Sequence, residues 1–151
     1  MMTSDMLHEM AKSGAALNVK TDPNDLIPVL ILINSKGEVE IYGMVGEDKN
    51  EILKMLKTTL TERDAKSYAL VVEAWVTEFP HEAAKYDWRV RDMPPDDRSE
   101  AVQIIIVEKD KGCLGGSIAK IERVDEKTRR LHEWKTETPD GISGPFVVTS
   151  W

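Results

Sequence analysis

The sequence predicts one α+β domain over residues 1–151, with a mostly antiparallel sheet and two helices packed on it. The chain has 151 residues, 41% of them hydrophobic, which is enough to bury a single core without disulfides or metals. Two segments in the first half space their apolar residues as helices do. The second half is a succession of apolar runs joined by short turns, which favours antiparallel neighbours. The predicted element order is therefore α-β-β-α-β-β-β-β.

The first predicted helix begins at Ser4, a residue type that caps helix N-termini. Apolar side chains recur at helical spacing from Met6 to Leu17, and Gly14 weakens the end of the helix. Residues 21–25 follow with Asp, Pro and Asn, and they are expected to form a loop.

A β-hairpin is predicted next. Residues 27–34 form an apolar run that is typical of a buried strand, and residues 39–42 alternate as a second strand should. The Ser-Lys-Gly sequence at 35–37 is a turn signal, so the two strands are expected to pair.

The second helix follows this hairpin. Asp48 and Glu51 have the spacing of a capping box, and apolar residues from Ile52 to Leu60 form one stripe with basic residues outside it. The helix is expected to end near Lys66.

The remaining chain is predicted to be all strand and turn. Turn-forming residues separate four apolar or alternating runs, which are the four strands of the predicted order, and a fifth run is a candidate for a last short edge strand. The runs are 68–79, 100–109, 114–124, 129–135 and 146–149.

Charge argues against a nucleic-acid partner. The net charge is −7, acidic residues outnumber basic ones in both halves, and the chain has no basic tail. Residues 109–135 carry a small excess of Lys and Arg, which is typical of a solvated face.

Cysteine usage and hydropathy predict a cytoplasmic protein. Cys113 is the only cysteine, so no intrachain disulfide can form, which fits a reducing compartment. Residues 1–17 lack the apolar core of a signal peptide, and the longest apolar stretch, 26–33, is too short to span a bilayer. No membrane association is expected.

The segment 80–99, between two predicted strands, is the expected functional surface. Rigid strands position such loops, and this one holds Trp88 between charged neighbours, with Arg91 nearby. A solvated connector has no folding need for a tryptophan, and Trp and Arg carry much of the energy at protein interfaces. The alternative is that Trp88 folds back onto the sheet as a lid.

Glu73 suggests a second kind of site, because it is a carboxylate inside an apolar strand. A buried unpaired charge is costly, so Glu73 is expected to pair with a loop arginine, Arg98 before Arg89 or Arg91. Such a pair is either a tuned carboxylate in a cleft or a structural tie between loop and sheet.

Other reactive residues have simpler interpretations. Asp92, Asp96 and Asp97 lack the order of a calcium loop, and the three histidines lack metal-ligand spacing. Cys113 has no catalytic signature around it, and the glycines beside it suit a hairpin turn better than a phosphate loop. No metal or cofactor is predicted.

Two short motifs carry a resemblance to a family. Glu-Ala-Trp at 73–75 and Pro-Asp-Asp-Arg-Ser-Glu-Ala at 95–101 resemble sequences in an uncharacterised family of small prokaryotic and phage proteins, over roughly a quarter of the chain. That family implies no activity. The order α-β-β-α-β-β-β also resembles roadblock and profilin-like scaffolds, which is an analogy of fold alone.

The sequence therefore predicts a small cytoplasmic binding protein acting through the 80–99 loop. Its partner is expected to be another protein or a second copy of the chain, most simply a homodimer joined at a sheet edge or at exposed aromatics near Trp88 and Trp151. The alternative is an enzyme or small-ligand binder with Glu73, Arg91 and Arg98 between the loop and the sheet.

Overall fold

A computed structural model describes residues 3–21, 27–142 and 145–151. The helices are α1 (Ser4–Thr21), α2 (Lys49–Glu62) and α3 (Pro80–Ala83). The strands are β1 (Val29–Asn34), β2 (Val39–Gly43), β3 (Ala65–Val76), β4 (Ser99–Glu108), β5 (Gly112–Arg123), β6 (Arg129–Leu131) and β7 (Lys135–Glu137). Within these ranges, no helix is both long and apolar enough to cross a membrane.

All strand pairs are antiparallel, which confirms the predicted α+β class. The strand order is β2-β1-β3-β4-β5-β6, and β7 also pairs with β5. The described chain has a third helix, the single turn α3, where only a loop was predicted. A proline at its first position starts that turn, but one turn is too short to leave a periodic pattern in the sequence.

The helices cover opposite faces of the sheet. Alternate residues of β3 point to opposite sides, so Ala69 and Val71 pack with α1 whereas Leu70 and Val72 lie in the core that contains α2. The C-terminal residues 145–151 lie over the α2 side as well. Both faces are therefore apolar, which explains why β3 and β4 read as continuous apolar runs.

Several predicted boundaries of the helices need correction. Thr3 rather than Ser4 caps α1, because its side-chain oxygen accepts the Met6 N–H, and the helix continues through Gly14 to Thr21. Helix α2 stops at Glu62 instead of Lys66, because Asp64 has a left-handed backbone that ends the helix before β3. The predicted loop at 21–25 lies mostly outside the described residues.

Two strand predictions were wrong in part. Residues 129–135 do not form one strand: β6 and β7 are separate three-residue strands on β5. Residues 146–149 form no strand. They are fixed instead by Tyr68, whose hydroxyl donates to the Phe146 carbonyl at 2.7 Å and accepts the Val148 N–H at 2.9 Å.

The glycine pair at 115–116 serves the sheet rather than a turn. The β4–β5 register shifts between Ile106 and Val107, and Gly115 takes a positive φ there. A Cβ at Gly116 would lie 1.9 Å from the Ile104 carbonyl oxygen, so only glycine fits against β4.

Candidate functional site

Residues 77–98 form the connector between β3 and β4, which we call the recognition loop after the role predicted for it from the sequence. Its base is closed where Val76 pairs with Ser99 and where the Thr77 hydroxyl donates to the Asp97 carbonyl at 2.6 Å. Ala83 and Met93 are buried, although neither belongs to either of the two core clusters. The loop is thus a structured projection that is closed at its base and has two buried residues of its own.

Trp88 stands at the outer side of this loop with 70% of its surface exposed. The backbone N–H of Trp88 donates to the Ala83 carbonyl at 2.9 Å, so a hydrogen bond fixes the backbone at this residue. Asp87 and Trp88 both have positive φ, at 54° and 63°. Left-handed backbone is rare for a bulky residue and costs about 1–2 kcal/mol. The fold therefore retains a strained backbone at an exposed tryptophan.

The surroundings of Trp88 are charged and open. Arg89 and Arg91 are exposed, as are Asp87 and Asp92, so the apolar indole lies among side chains of both signs. This arrangement matches the expectation that Trp88 and Arg91 are solvent-accessible. It does not fit a lid, in which the indole would be buried against the sheet.

Arg98 joins the end of the loop to β3. Its guanidinium lies 4.1 Å from the ring centroid of Trp75 and donates a hydrogen bond to the Arg91 carbonyl. Stacking on an aromatic face is a favoured contact of arginine. Arg98 thus holds the backbone of the Arg91 segment close to the strand that carries Trp75.

The guanidinium partner of Glu73 is Arg129, not the predicted Arg98. Arg129 Nη1 lies 2.8 Å from Glu73 Oε1, and the Arg129 side chain is fully buried while that of Glu73 is 13% exposed. Two strands separate β3 from β6, so a flat sheet would place these backbones about 14 Å apart. The contact exists because the sheet curls around the α1 side, where β6 meets α1.

Glu73 and Arg98 therefore make different contacts. Glu73 is committed to a buried ion pair, Arg98 to Trp75, and Arg91 points its carbonyl toward Arg98. The Glu73–Arg129 pair joins β3 to β6, whereas the contact between the loop and the sheet is made by Arg98 and Trp75.

A second polar contact, which no sequence pattern indicated, joins α1 to β5. His8 Nε2 lies 2.6 Å from the Ser117 hydroxyl oxygen, and Ser117 is fully buried. Burial lowers the pKa of His8 below its ordinary value of 6.5, and Lys12 adds to the effect. A substrate has no access to Ser117, so this serine–histidine pair ties the helix to the sheet. The residues are over a hundred positions apart, and no local pattern signals the contact.

A groove lies on the α2 side of the sheet, beside the base of the recognition loop. It has a volume of about 380 Å³. Val76 and Ile118 form its apolar floor, and Lys120 and Lys135 are among the polar residues at its rim. Glu78 Oε1 pairs with Lys120 Nζ at 2.6 Å, and this contact lowers the Glu78 pKa. None of the four predicted site residues lines this groove.

The remaining candidates do not assemble into a reactive centre. Among the residues that the structure describes, no group of three or more His, Cys, Asp or Glu side chains is placed to hold a metal ion. The Cys113 thiol is half-buried and accepts the Gly115 N–H at 3.4 Å. Trp151 is not an exposed contact as expected, because it packs edge-on against Tyr68 and donates to the Ala65 carbonyl.

Comparison of the chain with protein-family models, with curated proteins and with solved structures finds no significant match. The two resemblances drawn from the sequence therefore stay predictions. Function is therefore inferred from the geometry of the recognition loop and of the surfaces around it.

Proposed function

We propose that this protein is a binding protein that recognises another protein through the recognition loop, with Trp88 as the central contact. The observation that carries the proposal is the 70% exposure of a tryptophan on a strained, hydrogen-bonded backbone. Strain of this kind persists where the surrounding structure holds it, and it is concentrated at functional sites. An exposed indole on a fixed backbone also loses little conformational freedom on binding, which favours affinity.

The chemistry of the loop describes the partner. The exposed indole fits an apolar pocket, and the flanking guanidinium groups of Arg89 and Arg91 fit carboxylates at its rim. Arg98 belongs to the same proposal as a positioning residue, because it holds the Arg91 segment against Trp75. Glu73 supports the sheet beneath and is not expected to touch the partner.

The test is a capture experiment with matched variants. Wild-type protein and Trp88→Ala are used as baits in host-cell extract, and Leu17→Ala serves as the control because Leu17 is also highly exposed but lies on α1. A protein captured by the wild type and the control, then purified and titrated, should bind Trp88→Ala at least about 30-fold more weakly, as expected for a hot spot of about 2 kcal/mol.

Thermal melting of the same variants separates contact from folding. Trp88→Ala should melt close to the wild type, because its side chain is mostly in water. Equal binding by wild type and Trp88→Ala contradicts the proposal. So does a loss of about 3–5 kcal/mol of stability, which is the size expected when a core tryptophan is truncated.

The groove supports a second candidate function, the binding of a small carboxylate with an apolar body. Its volume of about 380 Å³ lies in the range of ligand sites, its floor is apolar, and Lys135 stands at its rim beside the Glu78–Lys120 pair. Titration with hexanoate should shift the Ile118 methyl resonances, and Lys135→Met should abolish the shift while Lys36→Met, on the β1–β2 turn, preserves it. Unshifted Ile118 resonances at millimolar hexanoate would exclude this function.

A further inference from the structure

The two edges of the sheet differ in how well they are protected from pairing. One edge consists of the three-residue strands β6 and β7, which residues 132–134 interrupt and Pro139 follows. Short strands, breaks and prolines are the usual means of blocking an edge. The other edge, β2, is a continuous five-residue strand with no bulge, proline or lysine. The β2 edge has none of these protections.

The alternation of backbone hydrogen bonds between β1 and β2 shows which backbone groups of β2 point outward. The Asn34 N–H donates to the Glu38 carbonyl and the Met44 N–H donates to the Pro28 carbonyl, so the even-numbered residues of β2 face β1. The backbone N–H and C=O groups of Val39, Ile41 and Gly43 consequently point away from the sheet. Ile41 and Gly43 are exposed, so these backbone groups lie at the surface of the described chain.

Apolar side chains accompany these open backbone groups. Ile41 is 62% exposed and Val45 is 66% exposed. Ile27 is also exposed and lies beside Val45, because the Met44–Pro28 hydrogen bond extends the β1–β2 ladder to that point. An apolar stripe next to unpaired strand backbone is suited to an added strand.

We propose that β2 pairs antiparallel with β2 of a second copy, with the two-fold axis at Ile41. In this register Ile41 lies opposite Ile41 of the other copy, and Val39 lies opposite Gly43. All outward N–H and C=O groups of the three residues are then satisfied, which no shifted register achieves. The sheet continues across both copies as one structure.

The charges near β2 favour a second copy as the occupant. The same register brings exposed Lys36 of each copy next to exposed Glu47 of the other. On the opposite face Glu40 lies across from Tyr42 of the other copy. Within its own chain Glu40 already accepts Arg63 Nε at 2.6 Å, so its charge is compensated before pairing. Two-fold pairing thus places opposite charges next to each other and brings no two like charges face to face.

Two variants test the pairing by sedimentation equilibrium on the purified protein. Ile41→Pro removes only an N–H that points outward, so the chain keeps its internal hydrogen bonds. The wild type is expected to be a dimer at about 100 μM and Ile41→Pro a monomer, a shift of at least about tenfold in the dissociation constant. Val124→Thr, exposed on the β5–β6 turn, is the control and should remain dimeric.

Cross-linking tests the register and does not depend on how Ile41→Pro folds. Hydrogen-bonded antiparallel residues have Cα atoms about 5.5 Å apart, within the reach of a disulfide. In a Cys113→Ser background, Ile41→Cys should oxidise to a reducible covalent dimer, whereas Val124→Cys, exposed on the β5–β6 turn, should not. A wild-type monomer at several hundred micromolar overturns the proposal and leaves the edge to a strand of another protein. A dimer that Ile41→Pro does not weaken and Ile41→Cys does not lock overturns it as well.

Discussion

Trp88 illustrates how one residue can work against the stability of its own fold. At most positions alanine is favoured over glycine by about 0.5–1 kcal/mol. At Trp88 the positive φ reverses this preference, because glycine adopts a left-handed backbone without the Cβ clash. We expect Trp88→Gly to be more stable than Trp88→Ala by about 1 kcal/mol in urea unfolding. The opposite order would show that the backbone at Trp88 is not strained.

His8 makes the stability of the fold depend on pH. Burial holds its folded pKa below the ordinary value of 6.5, so the unfolded chain binds the proton more readily. The contribution of His8 is complete above about pH 6.5 and is lost as the pH falls below that value. Wild type should therefore lose more stability between pH 7 and pH 5 than His8→Gln. His81→Gln, exposed on α3, should follow the wild-type profile, and parallel profiles for all three proteins would contradict this prediction.

Local sequence predicts that certain side chains need a partner, but it does not identify the partner. A carboxylate in an apolar strand predicts that Glu73 has a cationic partner, and the structure contains one. The sequence does not identify Arg129 as that partner, because the contact depends on the curl of four strands. Likewise Trp88 is anomalous in the sequence alone, whereas the His8–Ser117 contact is invisible without the fold.

At the scale of the elements, the Glu73–Arg129 pair fixes β6 against β3. Arg129→Met leaves the Glu73 carboxylate buried and should cost about 3–5 kcal/mol of unfolding free energy. The double variant Glu73→Leu/Arg129→Met replaces both charges by apolar groups and should recover most of that loss.

The neighbouring residue provides the control for this pair. Arg130 pairs with Glu122 at 2.7 Å on an exposed surface, so Arg130→Met should cost less than about 1 kcal/mol. Equal costs for Arg129→Met and Arg130→Met would mean that burial of the first pair has no energetic role.

One hydroxyl of β3, that of Tyr68, binds the C-terminal segment at both Phe146 and Val148. Tyr68→Phe leaves the buried Val148 N–H without its acceptor, and we expect a loss of about 1–3 kcal/mol and faster proteolysis within 145–151. Tyr86→Phe is the control, because the structure shows no hydrogen bond to the Tyr86 hydroxyl among the described residues. Unchanged stability of Tyr68→Phe would show that water replaces the hydroxyl at Val148.

At the scale of the whole molecule, local signals predicted the class and most elements. Hydrophobic periodicity and turn residues located both long helices and the antiparallel strands, because each of these patterns depends only on residues close together in the sequence. The boundaries failed where a three-dimensional contact decides them, as at Asp64 and in the split between β6 and β7. Residues 146–149 have strand-like composition, yet Tyr68 fixes them without a ladder.

The uninterrupted pairing of β3 with β4 has an evolutionary consequence. Ten consecutive residue pairs, from Ser67–Glu108 to Val76–Ser99, hold these two strands together below the recognition loop. A tight reverse turn would suffice to join them, so the scaffold does not depend on the intervening segment for its register. Substitutions, insertions or a transplanted segment between Thr77 and Arg98 can alter the exposed surface of the molecule while leaving both apolar layers intact. The loop is in this sense replaceable, and descendants of this chain can diversify there while the pairing of β3 with β4 is kept.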